Sequence, residues 1–126
     1  MNIFILDRDP YKAARQMCDK HVVKMVTETA QLLSTCHRLL DGDMYVARTK
    51  IGRRIKRWRL YDDREQLLYK ASHINHPCNI WLRETKGNYE WTFNHFIGLC
   101  DEYKHRYGRD HKADTDFRFF LHRFPD

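Results

Sequence analysis

The chain has 126 residues and a mass of 15.4 kDa, which is the size of one domain and excludes a second independent core. Hydrophobic residues at 42% exclude a disordered chain, while 32% charged residues and a mean hydropathy of -0.78 exclude a membrane protein. The net charge of +6 favours an anionic partner. Because the sequence has neither a membrane-spanning run nor a signal peptide, it predicts a cytosolic protein, in the host cytosol if a phage encodes it.

The first half of the chain predicts an extended segment followed by two helices. The apolar run from Ile3 to Leu6 is typical of a strand or a buried arm. Asp9 and Pro10 predict the start of a helix over about 10–18. Asp19 is predicted to cap a longer helix, which continues to about residue 40 because neither Gly nor Pro occurs before Gly42. At helical spacing, the apolar arc of this second helix contains Val22, Met25, Val26, Ala30, Leu33, Cys36 and Leu40.

The segment 43–64 is strongly basic and predicts a hairpin, a loop or a weak helix. Its cations would hold phosphates, while Trp58 and Tyr61 would stack on bases. The alternative is a solvated loop whose charge only improves solubility. Seven of its cations lie within residues 48–59: Arg48, Lys50, Arg53, Arg54, Lys56, Arg57 and Arg59.

The second half of the chain predicts two more helices and a packed aromatic end. His76 and Pro77 predict the start of a short helix to about residue 85, which Gly87 would end. Asn88 is predicted to cap a helix that stops at Gly108. Residues 117–124 are predicted to cover the same core. The apolar arc of the long helix contains Tyr89, Phe93, Phe96, Cys100, Tyr103 and Tyr107. The predicted fold is therefore a mainly α, compact helical bundle with one domain over residues 1–126.

Two polar stripes at helical spacing are candidate binding surfaces. The first consists of His21, Lys24, Glu28 and Gln31 at i, i+3, i+7 and i+10. The second consists of His95, Glu102 and Arg106, with Trp91 one turn before them. We predict that both stripes line one pocket for an anionic substrate. The alternative is two ordinary solvated faces with i,i+4 ion pairs.

The cysteines and histidines do not predict a metal site or another cofactor. The four cysteines have no close pair, and we expect reduced, largely buried thiols at Cys18, Cys36, Cys78 and Cys100. His73, His76 and Cys78 offer zinc ligands at a spacing that matches no standard site and lacks a fourth ligand. We expect instead that His76 caps the helix that Pro77 starts. His37 lies within the apolar arc and is predicted to be a satisfied core histidine.

Three runs of the sequence carry a resemblance to known proteins: DKHVVKMVTETAQLL at 19–33, HINHPCNIWLRETKGNYEW at 73–91, and the following EYKHRYGRDHK. They resemble a group of small phage and bacterial proteins that mostly have no assigned function. The chain is more distantly similar to the pyrimidine-dimer DNA glycosylases of the phage endonuclease V type. That family consists of small, basic, helical proteins that use the amino terminus as nucleophile and a glutamate on an early helix.

The resemblance implies a glycosylase and AP lyase that acts on a damaged or modified pyrimidine in DNA. Glu28 would be the catalytic glutamate, the α-amine of Met1 the nucleophile, and His21 and Lys24 the helix neighbours. In the phage enzymes the initiator methionine is removed, whereas Asn2 follows Met1 here, so we expect Met1 to stay. The alternative is a non-enzymatic protein, monomeric or homo-oligomeric, that binds a nucleotide or another small anionic ligand. A third hypothesis is that the protein binds a host protein through the basic segment.

Overall fold

The computed structural model describes residues 3–125 and confirms a mainly helical bundle with an extended N-terminal segment and a basic hairpin. The helices are joined by turns and by one long irregular segment, residues 68–76. The elements in chain order are α1 (Pro10–Arg15), α2 (Asp19–Asp41), β1 (Asp43–Arg48), β2 (Arg54–Arg59), α3 (Arg64–Leu67), α4 (Pro77–Glu84), α5 (Lys86–Tyr107) and α6 (Lys112–Leu121).

Helices α2 and α5 run antiparallel through the centre of the bundle. Arg106, near the end of α5, bonds Asp19 at the start of α2, whereas Tyr89, near the start of α5, bonds His37 near the end of α2. Between them lies a continuous apolar core, to which each fully buried Leu or Phe contributes about 1.5–3 kcal/mol. This core includes Val22, Met25, Val26, Leu32, Leu33, Leu82, Phe96, Leu99 and Leu121.

Helix α1 packs directly on α5 because Gly98 leaves room for it. A Cβ at Gly98 would lie 3.2 Å from Cβ of Ala14 and 3.2 Å from Cα of Tyr11. The carboxylate of Asp9 accepts the amide N–H of Tyr11 at 2.8 Å, which confirms the predicted cap. The helix ends at Arg15, three residues before the predicted end.

Three predicted details of the helices are wrong. Cys18 rather than Asp19 is the N-cap of α2. Asp19 is the first helical residue, where its negative charge still interacts favourably with the helix dipole. The side chain of Thr85 caps α5 by accepting the amide N–H of Asn88 at 3.0 Å, so Gly87 and Asn88 lie inside its first turn. At the ends of the two apolar arcs, Leu40 and Tyr107 are exposed.

The basic segment forms an antiparallel hairpin, which decides between the predicted alternatives. The register runs from Asp43↔Arg59 to Arg48↔Arg54. The connecting loop closes through Thr49, whose N–H donates to the carbonyl of Arg53 at 2.8 Å. Gly52 has a φ of +81°, the left-handed conformation that this loop requires.

A buried arginine fixes the hairpin and the irregular segment to α2. Arg38 is 3% exposed, and its guanidinium donates to the carbonyls of Trp58 at 2.8 Å and Tyr69 at 2.7 Å. It also donates to the Glu65 carboxylate at 2.9 Å and to the carbonyls of Glu65 and Leu68 at 3.0 Å. These bonds satisfy every guanidinium N–H group, so β2, α3 and residues 68–69 have one position relative to α2.

The core histidine is confirmed, and the cysteine prediction is partly wrong. His37 Nε2 is 2.7 Å from the Tyr89 hydroxyl and its Nδ1 is 2.8 Å from Arg64. Burial and then the charge of Arg64 lower the pKa of His37 to about 4, so the ring is neutral at pH 7.

The cysteines are free. Cys36 and Cys100 are buried as predicted, Cys78 is half-buried, and Cys18 is exposed because it lies between two helices. Within residues 3–125, no helix combines the length and apolarity needed to cross a membrane.

We predict that Gly42→Ala lowers the free energy of unfolding by about 1–3 kcal/mol, because the new methyl group overpacks the joint between α2 and the hairpin. Its Cβ would lie 2.6 Å from the carbonyl oxygen of Arg38 and 2.8 Å from that of Arg59, two backbone atoms. Chemical denaturation measures the change.

The matched control is Gly87→Ala. A Cβ at Gly87 would meet only the Thr85 hydroxyl at 3.9 Å, so this helical substitution should stabilise the protein by about 0.5–1 kcal/mol. Equal stability of the two variants would contradict the close approach at Gly42.

Candidate active site

The first polar stripe lies on one side of α2 and combines a sheltered carboxylate with an open cation. Lys24 Nζ is 4.0 Å from Glu28 Oε2, and the two side chains are 68% and 20% exposed. The His21 ring stacks on Phe4 with a centroid distance of 5.5 Å and an interplanar angle of 1°. Glu28 therefore lies where a carboxylate retains access to a substrate and is partly removed from solvent.

The same stripe continues for two more turns, which the sequence analysis missed. Thr35 and Arg38 follow at i+14 and i+17 from His21, so they lie on the same side of the helix. At 1.5 Å per residue, Thr35 is about 10 Å along the axis from Glu28. We call this surface the α2 face, and it consists of His21, Lys24, Glu28, Gln31, Thr35 and Arg38.

Residues 3–8 form an N-terminal arm that crosses three helices beside the α2 face. The N–H of Ile3 donates to Cys78 Sγ at 3.3 Å, and the carbonyl of Arg8 accepts the indole N–H of Trp91 at 2.8 Å. The arm forms no strand, so the first predicted alternative is wrong. It is also not a fully buried arm, because Ile5 and Leu6 are more than half exposed. A mostly apolar cleft of about 260 Å³ beside the arm is lined by Ile3, Ile5, Pro77, Cys78 and Trp81.

The predicted nucleophile lies outside the described residues. Met1 precedes Ile3, where the description begins, so the role of its α-amine stays a prediction. The first described residues of the arm contact two helices. Ile3 bonds Cys78 of α4, and Phe4 stacks on His21 of the α2 face.

Trp91 and His95 of the second stripe hold the end of the arm and the start of α1. The ring of His95 is 1% exposed and stacks on Trp91 with a centroid distance of 5.0 Å. Burial lowers the pKa of His95, so the neutral ring donates from Nδ1 to the carbonyl of Pro10 at 2.9 Å. The buried Nε2 atom has no hydrogen-bond partner within residues 3–125.

Glu102 and Arg106 of the second stripe join the end of α1 to the start of α2. Arg106 bonds the carboxylates of Glu102 at 2.9 Å and Asp19 at 3.0 Å. Its terminal nitrogens also donate to the carbonyls of Met17 at 2.8 Å and Arg15 at 3.2 Å. A phosphate contact by Arg106 would compete with these four bonds.

The two stripes contact the N-terminal segment at different residues. The second stripe bonds Arg8 and Pro10, whereas the first stripe meets the arm at Phe4. Neither of the two cavities described for residues 3–125 is lined by a residue of either stripe. That both stripes line one pocket therefore stays a prediction.

The hairpin presents one face to solvent and turns the other toward the protein. The register places Met44 opposite Trp58, Val46 opposite Lys56 and Arg48 opposite Arg54 on the outward face. On the other face, Arg57 donates to the carbonyl of Ala71 at 2.7 Å. Of the predicted phosphate ligands, Arg53 and Arg54 are exposed, whereas Arg57 is held by the protein. Within the described chain, none of the seven hairpin cations forms an ion pair with a carboxylate.

A cavity of about 360 Å³ at the end of α2 has a mixed lining of charged and aromatic side chains. Asp41 and Asp62 of this lining bind Arg64 at 2.7 and 2.8 Å. Because cations and carboxylates both line the cavity, its charge does not exclude a small anionic ligand, and that alternative stays a prediction. The charged or titratable lining residues are His37, Asp41, Asp62, Asp63, Arg64, His122 and Arg123, and the rings are those of Phe119, Phe120 and Phe124.

Two of the three residues of the zinc alternative serve other contacts. His76 Nδ1 accepts the amide N–H of Cys78 at 3.1 Å and caps α4, as predicted. Cys78 Sγ accepts the N–H of Ile3. In the part of the chain that the structure describes, no three His, Cys, Asp or Glu residues lie close enough together to hold a metal ion.

The comparisons with known proteins point to one family. A family model described as pyrimidine dimer DNA glycosylase matches residues 1–116. Neither the curated proteins nor the solved structures contain a match. The matched range includes the arm, the whole of α2, the hairpin and α5.

We predict that Trp91→Phe loosens the N-terminal arm, because it keeps the aromatic stack on His95 and removes the hydrogen bond to Arg8. The loss should be about 1 kcal/mol in unfolding free energy. Hydrogen exchange should accelerate in residues 3–10 and stay unchanged in the centre of α2.

Trp81→Phe is the matched control, since its indole N–H makes no hydrogen bond within residues 3–125. Unchanged exchange of the arm in Trp91→Phe would show that this bond does not hold it.

Proposed function

We propose a reaction for this chain from the premise that it belongs to the pyrimidine dimer DNA glycosylase family. Membership supports a DNA glycosylase function at the level of the family. The proposed reaction is removal of a damaged or modified pyrimidine, followed by strand cleavage as an AP lyase. The observation that carries this proposal is Glu28, a partly sheltered carboxylate on the α2 face beside the N-terminal arm.

The proposed nucleophile is the α-amine of Met1. An α-amine has an ordinary pKa of about 7.7–8.0, so a substantial fraction is neutral and nucleophilic at cellular pH. Its lone pair forms a bond to C1′ of the sugar while the glycosidic bond breaks and the base leaves with the bonding electrons. The bound amine then gives one proton to solvent, and its lone pair forms the C1′=N bond as the bond from C1′ to O4′ breaks. O4′ takes up a proton, which leaves a protonated Schiff base between the chain and C1′.

Glu28 is proposed to serve both stages of this reaction. As a carboxylate, it stabilises the positive charge that develops on the sugar as the base leaves. It then accepts a proton from the sugar, which allows the Schiff base to eliminate the 3′ phosphate. The neighbouring Lys24, with its exposed ammonium group, is placed to hold a phosphate of the same strand.

The outward face of the hairpin is the proposed docking surface for DNA. Its cations have no carboxylate partner within residues 3–125, so their charge is available to phosphates. Met44 and Val46 are about half exposed and lie among these cations, beside Trp58. Arg38 joins this hairpin to the α2 face, so the docking surface and Glu28 share one rigid support.

We predict that Glu28→Gln lowers turnover by at least about 100-fold, because it keeps the shape of the side chain and removes the charge and the base. The assay is base release from duplexes with damaged or modified pyrimidines, and folding is checked by thermal unfolding. Glu90→Gln is the matched control, since Lys86 and Glu90 form a similar i,i+4 pair at 3.9 Å on the outside of α5.

Borohydride trapping separates the amine from the glutamate. Reduction should join the wild-type chain covalently to the sugar, and an N-terminal extension should abolish this adduct while Glu28 is intact. Full glycosylase activity of Glu28→Gln, or an undiminished adduct after the extension, would contradict the mechanism.

We predict that changing Arg54 and Lys56 to serine weakens DNA binding and reduces its dependence on salt. Each lost phosphate contact lowers the slope of log affinity against log salt by about 0.9, so the double variant should lose about 1.8. Fluorescence anisotropy at several salt concentrations gives the slope.

The control replaces the exposed Lys86 and Lys112, which changes the net charge by the same amount away from the hairpin. If both double variants have the same slope, the hairpin is only a solvated part of the surface.

A further inference from the structure

We propose that His73 is a DNA-contacting residue, whose ring donates an N–H to the sugar–phosphate backbone between the hairpin and the α2 face. The inference rests on the proposed function, because it assigns a new contact to the same substrate. It is carried by the conformation of His73, by the bonds that impose this conformation, and by the position of the loop 72–76.

His73 has a costly backbone conformation. Its φ of +50° is the only positive value of a residue other than glycine within residues 3–125. A side chain in this region costs roughly 1 kcal/mol or more, although His tolerates it better than most residues. The cost persists only where the surrounding structure imposes the conformation.

Buried and half-buried side chains impose this conformation. Asn79, which is 1% exposed, donates from Nδ2 to the carbonyl of Ser72 at 3.1 Å and to that of His73 at 2.7 Å. Arg83 donates to the carbonyl of Ile74 at 2.8 Å. Three consecutive carbonyls are thus bonded by side chains of α4, and the loop is rigid.

The ring of His73 makes no polar or aromatic contact within residues 3–125 that would stabilise the fold. It is exposed, and it forms no hydrogen bond, ion pair or aromatic contact with any residue that the structure describes. A glycine at this position would satisfy the same backbone without the steric cost. An exposed ring that is held rigidly at a cost to the fold indicates a partner outside the chain.

The position of the loop identifies this partner as the DNA. Arg57 of the hairpin bonds the carbonyl of Ala71, and Thr35 of the α2 face accepts the N–H of Ser72 at 3.3 Å. At the other end of the loop, Cys78 bonds the arm at Ile3. The loop therefore lies between the hairpin and the α2 face, and we place the strand that joins the two beside it, where the imidazole has an N–H donor for a phosphate oxygen.

Three variants test the contact by affinity for an undamaged duplex at low salt, which needs no catalysis. His73→Ala removes the ring and keeps the strain, and His73→Gly removes both. Both should weaken duplex binding about fivefold, and the glycine variant should melt about 4 °C above the alanine variant. Asn75→Ala, which changes an exposed residue of the same loop, should match the wild type in both measurements.

Two results separate this inference from the proposed reaction. If His73→Gly binds the duplex as tightly as the wild type while the wild type releases bases, the His73 contact is wrong and the reaction stands. If the wild type releases no base and traps no adduct while the affinity loss persists, the reaction is wrong and the contact stands.

Discussion

The buried guanidinium of Arg38 is the interaction on which the arrangement of this protein depends. Its bonds reach β2, α3 and the irregular segment, three parts of the chain outside the central helix pair. Removal of one partner from a buried charged pair costs about 3–5 kcal/mol, because the other charge stays behind without compensation. Here a lost guanidinium would also leave four carbonyls unpaired. The side chain therefore determines where the basic hairpin stands relative to α2.

One face of α2 connects the parts that the proposed reaction needs. Its first turns meet the N-terminal arm through His21, its middle carries Glu28, and its last turns hold the irregular segment and the hairpin through Thr35 and Arg38. A single helix of 23 residues spans about 33 Å and bends little, so the distances between these parts are largely fixed. The proposed chemistry and the proposed DNA contacts thus share a common rigid element instead of depending on separate loops.

The sequence predicted the elements that local chemistry decides. Asp9, Pro10, Gly42 and Gly108 mark helix ends because capping and left-handed backbone act within a few residues. The predicted spacing from His21 to Gln31 also gave one side of α2 correctly. What sequence reasoning missed was tertiary. Arg106 was predicted to line a pocket for an anionic substrate, whereas the carbonyls of Arg15 and Met17 that it bonds lie about 90 residues away in the chain. The two further positions of the α2 face were detectable, since Thr35 and Arg38 continue the same helical phase.

The cations of this protein fall into two groups that differ in what their charge does. Arg38, Arg64 and Arg106 form ion pairs within the fold, so their charges are largely neutralised by carboxylates of this chain. The hairpin cations form no ion pair with a carboxylate among the described residues, and together they account for a charge similar to the net +6 of the whole chain. The positive field is therefore concentrated at one end of the α2 face. Glu28 lies about 20 Å away from the hairpin along the helix, so in the proposed reaction affinity and turnover depend on different residues and respond to different substitutions.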